Sequence, residues 1–221
     1  MSDALAFLED ELNQLREDKL FKLPRVLDSQ QKAVAVFDGR EVINLSSNNY
    51  LGFATNPRMM KRAEEAVKEF GVGSGAVRTI AGTMAMHQEL EEKIAKFKHT
   101  EAALVFQSGF TANSGTVSAI LNKEDVIISD ELNHASIIDG CRLSRAAIKV
   151  FPHSDMAVLR ERLEETKSYT EAGHRVLVVT DGVFSMDGDI GNLPEIVKLA
   201  KEYGAITMVD DAHASGVLGK N

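Results

Sequence analysis

The sequence holds one cysteine, Cys141, in 221 residues. A single thiol closes no internal disulfide and builds no zinc cluster. Low cysteine use suits a reducing compartment, so a cytoplasmic setting is expected. Cys141 itself reads as a small residue packed beside a helix. Basic residues are also short: 25 Lys and Arg face 33 Asp and Glu, for a formal net charge of −8. Nucleic acid and anionic membrane both need a basic surface, so neither is expected as a main partner. Local basic spots can still hold phosphates. No apolar run approaches the ~20 residues that span a bilayer. Met1-Ser2-Asp3-Ala4-Leu5 lacks a basic stretch followed by an apolar one, which predicts no signal peptide and a soluble protein. Repeats, low-complexity tracts and Pro-rich linkers are missing.

Several motifs are missing too. There is no G-x-x-x-x-G-K-[ST], no G-x-S-x-G and no H-E-x-x-H, and the 6 histidines are scattered without zinc spacing. Gly71-Val72-Gly73-Ser74-Gly75 follows a predicted helix and precedes no Lys-Thr pair, so it is no P-loop. Asp210-Asp211 makes a poor magnesium pair, because successive residues of an extended chain point to opposite sides.

What is present is a patterned chain with 44% apolar residues, enough for a sizeable core. Residues 3–20 read as an amphipathic helix carrying Leu5, Leu8, Leu12 and Leu15, which needs an apolar surface on its own domain or on a second copy. Residues 33–37 and 41–45 read as strands turned at Asp38-Gly39. Residues 57–70 read as a helix with Pro57 in its first turn. From there β-branched runs at 102–106, 125–128, 148–151, 176–180 and 205–209 alternate with helical stretches at 84–98, 110–121, 135–145, 155–168 and 194–203. That alternation predicts an α/β fold with a mostly parallel sheet covered on both faces. The predicted division is an N-terminal helix, hairpin and arm over 1–55 and a large domain over 56–221. The end at Gly219-Lys220-Asn221 follows a strand and a polar loop with no closing helix, so a fragment is expected.

In open α/β sheets, ligands bind beyond the C-terminal ends of the strands. Ser108-Gly109-Phe110 opens a helix there, where free backbone N–H groups and the helix dipole favour an anion such as phosphate. Ordinary capping explains the same residues. His134 ends a polar loop at the next helix start; its flat ring can stack on an aromatic ligand or simply hydrogen-bond locally. Ser185, in the turn Asp181-Gly182-Val183-Phe184-Ser185, displays a hydroxyl that can reach a phosphate, or only completes the turn. Asp210 closes the apolar run Ala205-Ile206-Thr207-Met208-Val209. A carboxylate so placed needs a cationic partner. A pyridinium N–H is one, and helix capping or metal ligation are others. His213, three residues on, can reach a ring hydroxyl.

Taken in order, these pieces resemble the α-oxoamine synthases, pyridoxal 5′-phosphate (PLP) enzymes of fold type I. The resembling stretches are Asn48 to Gly52, Gly73 to Gly75, Arg78 to Thr83, His87 with Glu89 to Glu91, Ser108 to Phe110, Asn133 to Ser136, Asp181 to Gly188, and Asp210 to His213. They span about residue 20 to the end. The resemblance implies that Ser108, Gly109 and Phe110 hold the PLP phosphate side and that His134 stacks on the ring. It assigns Asp210 to the ring nitrogen, His213 to the ring oxygen and Ser185 to the cofactor. It marks Asn48 and Arg25 as substrate contacts. It further implies amino-acid and acyl-CoA substrates and a homodimer with active sites at the interface. The family's Schiff-base lysine and its carboxylate-binding arginine have no match here, and Lys220 sits in the wrong context. The 221 residues alone are therefore expected to lack catalysis. The runs Ile128 to Gly140 and Arg78 to Thr83 look most like glycine C-acetyltransferase, which joins glycine to acetyl-CoA, with 8-amino-7-oxononanoate synthase second.

Overall fold

The structure, a computed structural model, describes residues 4–219. Met1–Asp3, Lys220 and Asn221 lie outside the described residues; with them go the start of the segment read for a signal peptide, the first residue of the expected helix 3–20, and Lys220. The chain divides into two compact units, Met1–Gly73 and Ser74–Asn221.

In the first unit, α1 covers Ala6–Glu17, and none of its residues is buried. Leu8, Leu12 and Leu15 are all exposed, so the helix's apolar stripe is not spent on its own unit. β1 (Val34–Phe37) and β2 (Arg40–Ile43) form the expected antiparallel hairpin, with Val34 opposite Ile43. Asp38 and Gly39 both take positive φ (49° and 72°), the twist that a tight two-residue hairpin turn demands. α2 (Pro57–Phe70) starts where Asn56 accepts the N–H groups of Arg58 and Met59, with Pro57 in its first turn.

The second unit carries α3 (Ala85–Lys98), α4 (Gly109–Ile120), β3 (Val126–Asp130), α5 (Ala135–Ser144), β4 (Ala147–Phe151), α6 (Met156–Glu164), α7 (Lys167–Glu171), β5 (Val176–Asp181), α8 (Leu193–Glu202) and β6 (Ile206–Asp210). The four strands form one parallel sheet in the order β4-β3-β5-β6. Alternate residues feed two cores, because successive side chains of a strand point to opposite faces. Ile128 and Val178 pack with Phe151, Leu159, Leu163, Ile196 and Leu199 on one face. Ile127, Leu177 and Val179 pack with Val117, Leu121, Ile137 and Cys141 on the other. Each fully buried large side chain contributes roughly 1.5–3 kcal/mol. Cys141 is one of these core residues, and burial pushes its thiol up to about 11. No described helix is long and apolar enough to cross a membrane.

Two sequence expectations fail. The run 102–106 joins no strand ladder. The N–H of Val105 donates instead to Glu91 Oε1 (2.9 Å), and Arg78 Nη1 reaches the Val105 carbonyl at 3.5 Å. Arg78 Nη2 also pairs with Glu91 at 3.0 Å. An ion pair thus stands where a neighbouring strand would, and the Val105 N–H holds the Glu91 carboxyl below the usual carboxylate range. The expected helix 155–168 is two helices, α6 and α7. They part at buried Thr166, whose hydroxyl donates to the Leu163 carbonyl (2.8 Å) and competes with the helical pattern.

Candidate active site

The C-terminal edge of the sheet is a row of acids. Asp130 ends β3, Asp181 ends β5 and Asp210 ends β6, with Asp181 and Asp210 directly paired in register. Each has a separate task.

Asp130 is buried and holds His153 Nδ1 at 3.1 Å; the imidazole also stands edge-on to Phe184, with ring centroids 4.3 Å apart. This braces the loop that follows β5. Ser185 lies exposed near the tip of that loop, which is closed by the Val183–Ile190 bridge.

Asp181 is 6% exposed, and its Oδ2 accepts the N–H of His134 at 3.0 Å. Burial, with a further push from the Asp210 charge, raises its carboxyl to about 6 against the opposing hydrogen bond from His134. The loop before α5 is fastened through the buried Asn133. Its Nδ2 donates to Ser129 Oγ (2.9 Å) and the Val179 carbonyl (2.8 Å), while its Oδ1 accepts the N–H of Asp181 (2.9 Å). His134 follows at the N-cap of α5. Its Nδ1 accepts the N–H of Ser136 at 3.2 Å and lies 2.6 Å from Ser136 Oγ.

Asp210 is half-buried. Its Oδ1 accepts the N–H of Ala212 (3.1 Å) and its Oδ2 accepts Asn113 Nδ2 (2.8 Å). Beyond it, Asp211 receives Lys98 Nζ at 2.8 Å and the Ser215 hydroxyl, which pins the turn carrying His213. A Cβ on Gly182 would come within 2.9 Å of Asp211 Oδ1, so a larger residue there would push the Asp211 carboxylate aside.

Ser108 caps α4: its Oγ accepts the N–H of Thr111 at 3.2 Å and lies 2.8 Å from Thr111 Oγ1. The hydroxyl is thus engaged in capping. The N–H groups of Gly109 and Phe110 have no acceptor among the described residues, and nothing lies within 4 Å of a Cβ built on Gly109. The missing strand 102–106 leaves this helix start unchanged. One turn on, Asn113 Nδ2 bonds both Asp210 Oδ2 (2.8 Å) and Ser136 Oγ (2.9 Å). The structure therefore ties Asp210, Asn113, Ser136, His134 and Asp181 into one network, flanked by the α4 start and the His213 turn. Arg25 and Asn48 belong to the first unit. Arg25 is exposed and paired with Asp38 at 2.8 Å, and Asn48 is exposed.

These donors and acceptors fit PLP. Two free N–H groups at a helix start suit a phosphate. A carboxylate anchored by two neutral donors keeps spare lone pairs for a ring N–H. A cleft of about 900 Å³ adjoins the β6 turn, lined by Phe97, Lys98, Gly182, Ile190, Asp211 and Leu218 among others, and it includes none of Gly109, His134 and Asp210. Sequence reasoning missed Asn113, Ser136 and Asn133 as site residues. A polar asparagine in the middle of an otherwise core-facing helix was the available signal for Asn113.

Comparison with known proteins gives the family. The aminotransferase class I and II family profile matches residues 40–221. An 8-amino-7-oxononanoate synthase from Thermoanaerobacter pseudethanolicus is 58% identical over 98% of this chain and 54% of its own length. One from Bacillus subtilis is 56% identical over 100% of this chain and 55% of its own. Among solved structures, a serine palmitoyltransferase from Sphingomonas wittichii superposes with a TM-score of 0.82 at 34% identity, covering 94% of this chain and 52% of that one. The chain thus spans about half the length of the curated relatives it matches. The expected ranking is reversed: these relatives carry the name placed second, not glycine C-acetyltransferase. The runs behind the first ranking explain this, because Arg78 clasps Glu91 and Asn133 latches β3 to β5, architectural tasks that select no substrate. By profile, fold and relatives, this chain belongs to the aminotransferase class I and II family, on its α-oxoamine synthase branch.

Proposed function

We propose that the whole protein is a PLP-dependent acyltransferase that joins alanine to a pimeloyl thioester, with loss of carbon dioxide, to give 8-amino-7-oxononanoate. The observation that carries the reading is the anchored Asp210 carboxylate facing the strand ends, between the open start of α4 and the His134 network. The 58% identity to an 8-amino-7-oxononanoate synthase supports the choice of substrates.

Bound here, PLP supplies an electron-accepting pyridinium that stabilises negative charge on the amino acid's α-carbon. The chain's own residues do the rest. The N–H groups of Gly109 and Phe110 hold the phosphate, aided by the α4 dipole. Asp210 keeps the proton on the ring nitrogen. His134 lays its imidazole against the ring and aligns it. His213 donates to the ring oxygen, and Ser185 holds the cofactor from the β5 loop. Asn48 and Arg25 contact the substrates. This reading places the covalent lysine and the arginine for the substrate carboxylate outside these 221 residues. It also expects a homodimer with the active site at the interface, the large domain running over 56–221 behind an arm over 1–55, and a cytoplasmic setting.

The test uses the full-length protein with PLP, following its absorbance and the release of free thiol and carbon dioxide. Alanine with pimeloyl-CoA, or with the carrier-protein thioester, should turn over and release both. Faster turnover of glycine with acetyl-CoA, without carbon dioxide, would restore the glycine C-acetyltransferase reading and overturn this one.

A further inference from the structure

We infer that Asn113 is a positioning residue that sets Asp210 and His134 at once, through the two hydrogens of one amide. The inference rests on the cofactor reading of this site, but its geometry is complete without the cofactor.

The chain of hydrogen bonds starts at His134. The N–H of Ser136 points at Nδ1 from 3.2 Å, and a backbone N–H only donates. Nδ1 therefore presents a lone pair. Ser136 Oγ lies 2.6 Å from the same nitrogen and must give it the hydroxyl proton. With that proton committed, Ser136 Oγ accepts from its other neighbour, Asn113 Nδ2, at 2.9 Å. The second amide hydrogen goes to Asp210 Oδ2 at 2.8 Å, where a carboxylate can only accept. Every bond in the chain has one possible direction. Neutral His134 thus carries its proton on Nε2, and Nδ1 faces the protein.

The amide cannot drift from this place. Asn113 is 6% exposed. α4 and α5 meet so closely that a Cβ on Gly140 would sit 3.0 Å from the Asn113 carbonyl and 3.1 Å from Ser114 Cα. The contact of the two helices fixes the Asn113 backbone, and the side chain passes that position to two ends, 21 and 97 residues away in sequence (134 − 113 and 210 − 113). Asp210 keeps its plane because Oδ1 is also held, by the N–H of Ala212. Replacing the amide by an apolar group of similar size removes one donor from a carboxylate and one from Ser136, whose hydroxyl then keeps only its bond to Nδ1 and loses the donor that polarised and oriented it.

The test compares the full-length protein with its Asn113→Leu and Ser136→Ala variants, each with and without PLP. Ring nitrogen-15 NMR, with His134→Gln to assign the signals, reads the tautomer directly. Wild type should show His134 with an unprotonated Nδ1 even without PLP. Both variants should keep that tautomer, because the backbone N–H of residue 136 still donates to Nδ1, but should shift the Nδ1 resonance as the hydroxyl bond from Ser136 is weakened or lost. Asn113→Leu alone should also weaken PLP binding, by roughly tenfold or more, as expected for a lost hydrogen bond to a charged group. An unchanged Nδ1 resonance together with PLP affinity within about twofold of wild type in a folded Asn113→Leu protein overturns the inference. If that variant does not fold, an unchanged Nδ1 resonance in Ser136→Ala overturns the His134 arm. A shifted Nδ1 resonance in variants of a protein that binds no PLP supports the positioning role and sinks the cofactor reading instead.

Discussion

Replacing Asp181 by Asn should flatten the acid side of the protein's stability profile. Asp181 is 6% exposed, and burial, then the nearby Asp210 charge, raises its carboxyl from 3.8 to about 6. A raised acid binds its proton more tightly folded than unfolded. Between pH 3.8 and about 6 the folded state therefore holds more protons, and stability falls as pH rises through that window. A shift of about 2 units at roughly 1.36 kcal/mol each amounts to about 3 kcal/mol, fully lost above pH ~6. Asn keeps an oxygen for the His134 N–H but carries no charge. The variant should gain up to about 3 kcal/mol over wild type at neutral pH, less the cost of seating its amide hydrogens. Chemical denaturation of both full-length proteins without cofactor, at steps from pH 4 to 7.5, isolates the group in the difference between the two curves. A difference that stays constant across that range would refute the reasoning.

Two further outcomes are expected. Asp210→Asn in the full-length protein should lower turnover by several orders of magnitude, because the ring nitrogen loses its counter-charge; near-normal steady-state rates would sink that assignment. Gly82→Ala should destabilise by about 1–3 kcal/mol or more, because its Cβ would lie 1.9 Å from the Ala76 carbonyl and only backbone movement relieves it; an unchanged denaturation midpoint would show that the loop yields freely.

Much of the fold was legible because its signals are local. The β-branched runs ending at Asp130 and Asp181 are strands buried among helices, the run ending at Asp210 is the half-exposed edge strand beside them, and period-2 alternation already divides Ile127 from Ile128 between two cores. The Asn56-Pro57 start of α2 and the Asp38-Gly39 turn follow from chemistry confined to adjacent residues. The run 102–106 has strand composition but is no strand, since a ladder needs a partner and Glu91 and Arg78 occupy that place. The split of the helix expected at 155–168 turned on one hydroxyl, Thr166.

The site divides the same way. Sequence alone placed a loop histidine and a strand-end carboxylate beyond the strand ends of one sheet, because strand direction and connection order dictate it, whereas it placed the α4 start there through the run 102–106, which forms no strand. Only the tertiary structure decided which of them touch. The Asn113–Asp210 bond joins positions 97 apart, and no local propensity encodes it. It exists because two helices approach at Gly140 closely enough to bring one amide between a serine and a carboxylate. Hydrogen bonds act over about 3 Å, so their partners are chosen by packing.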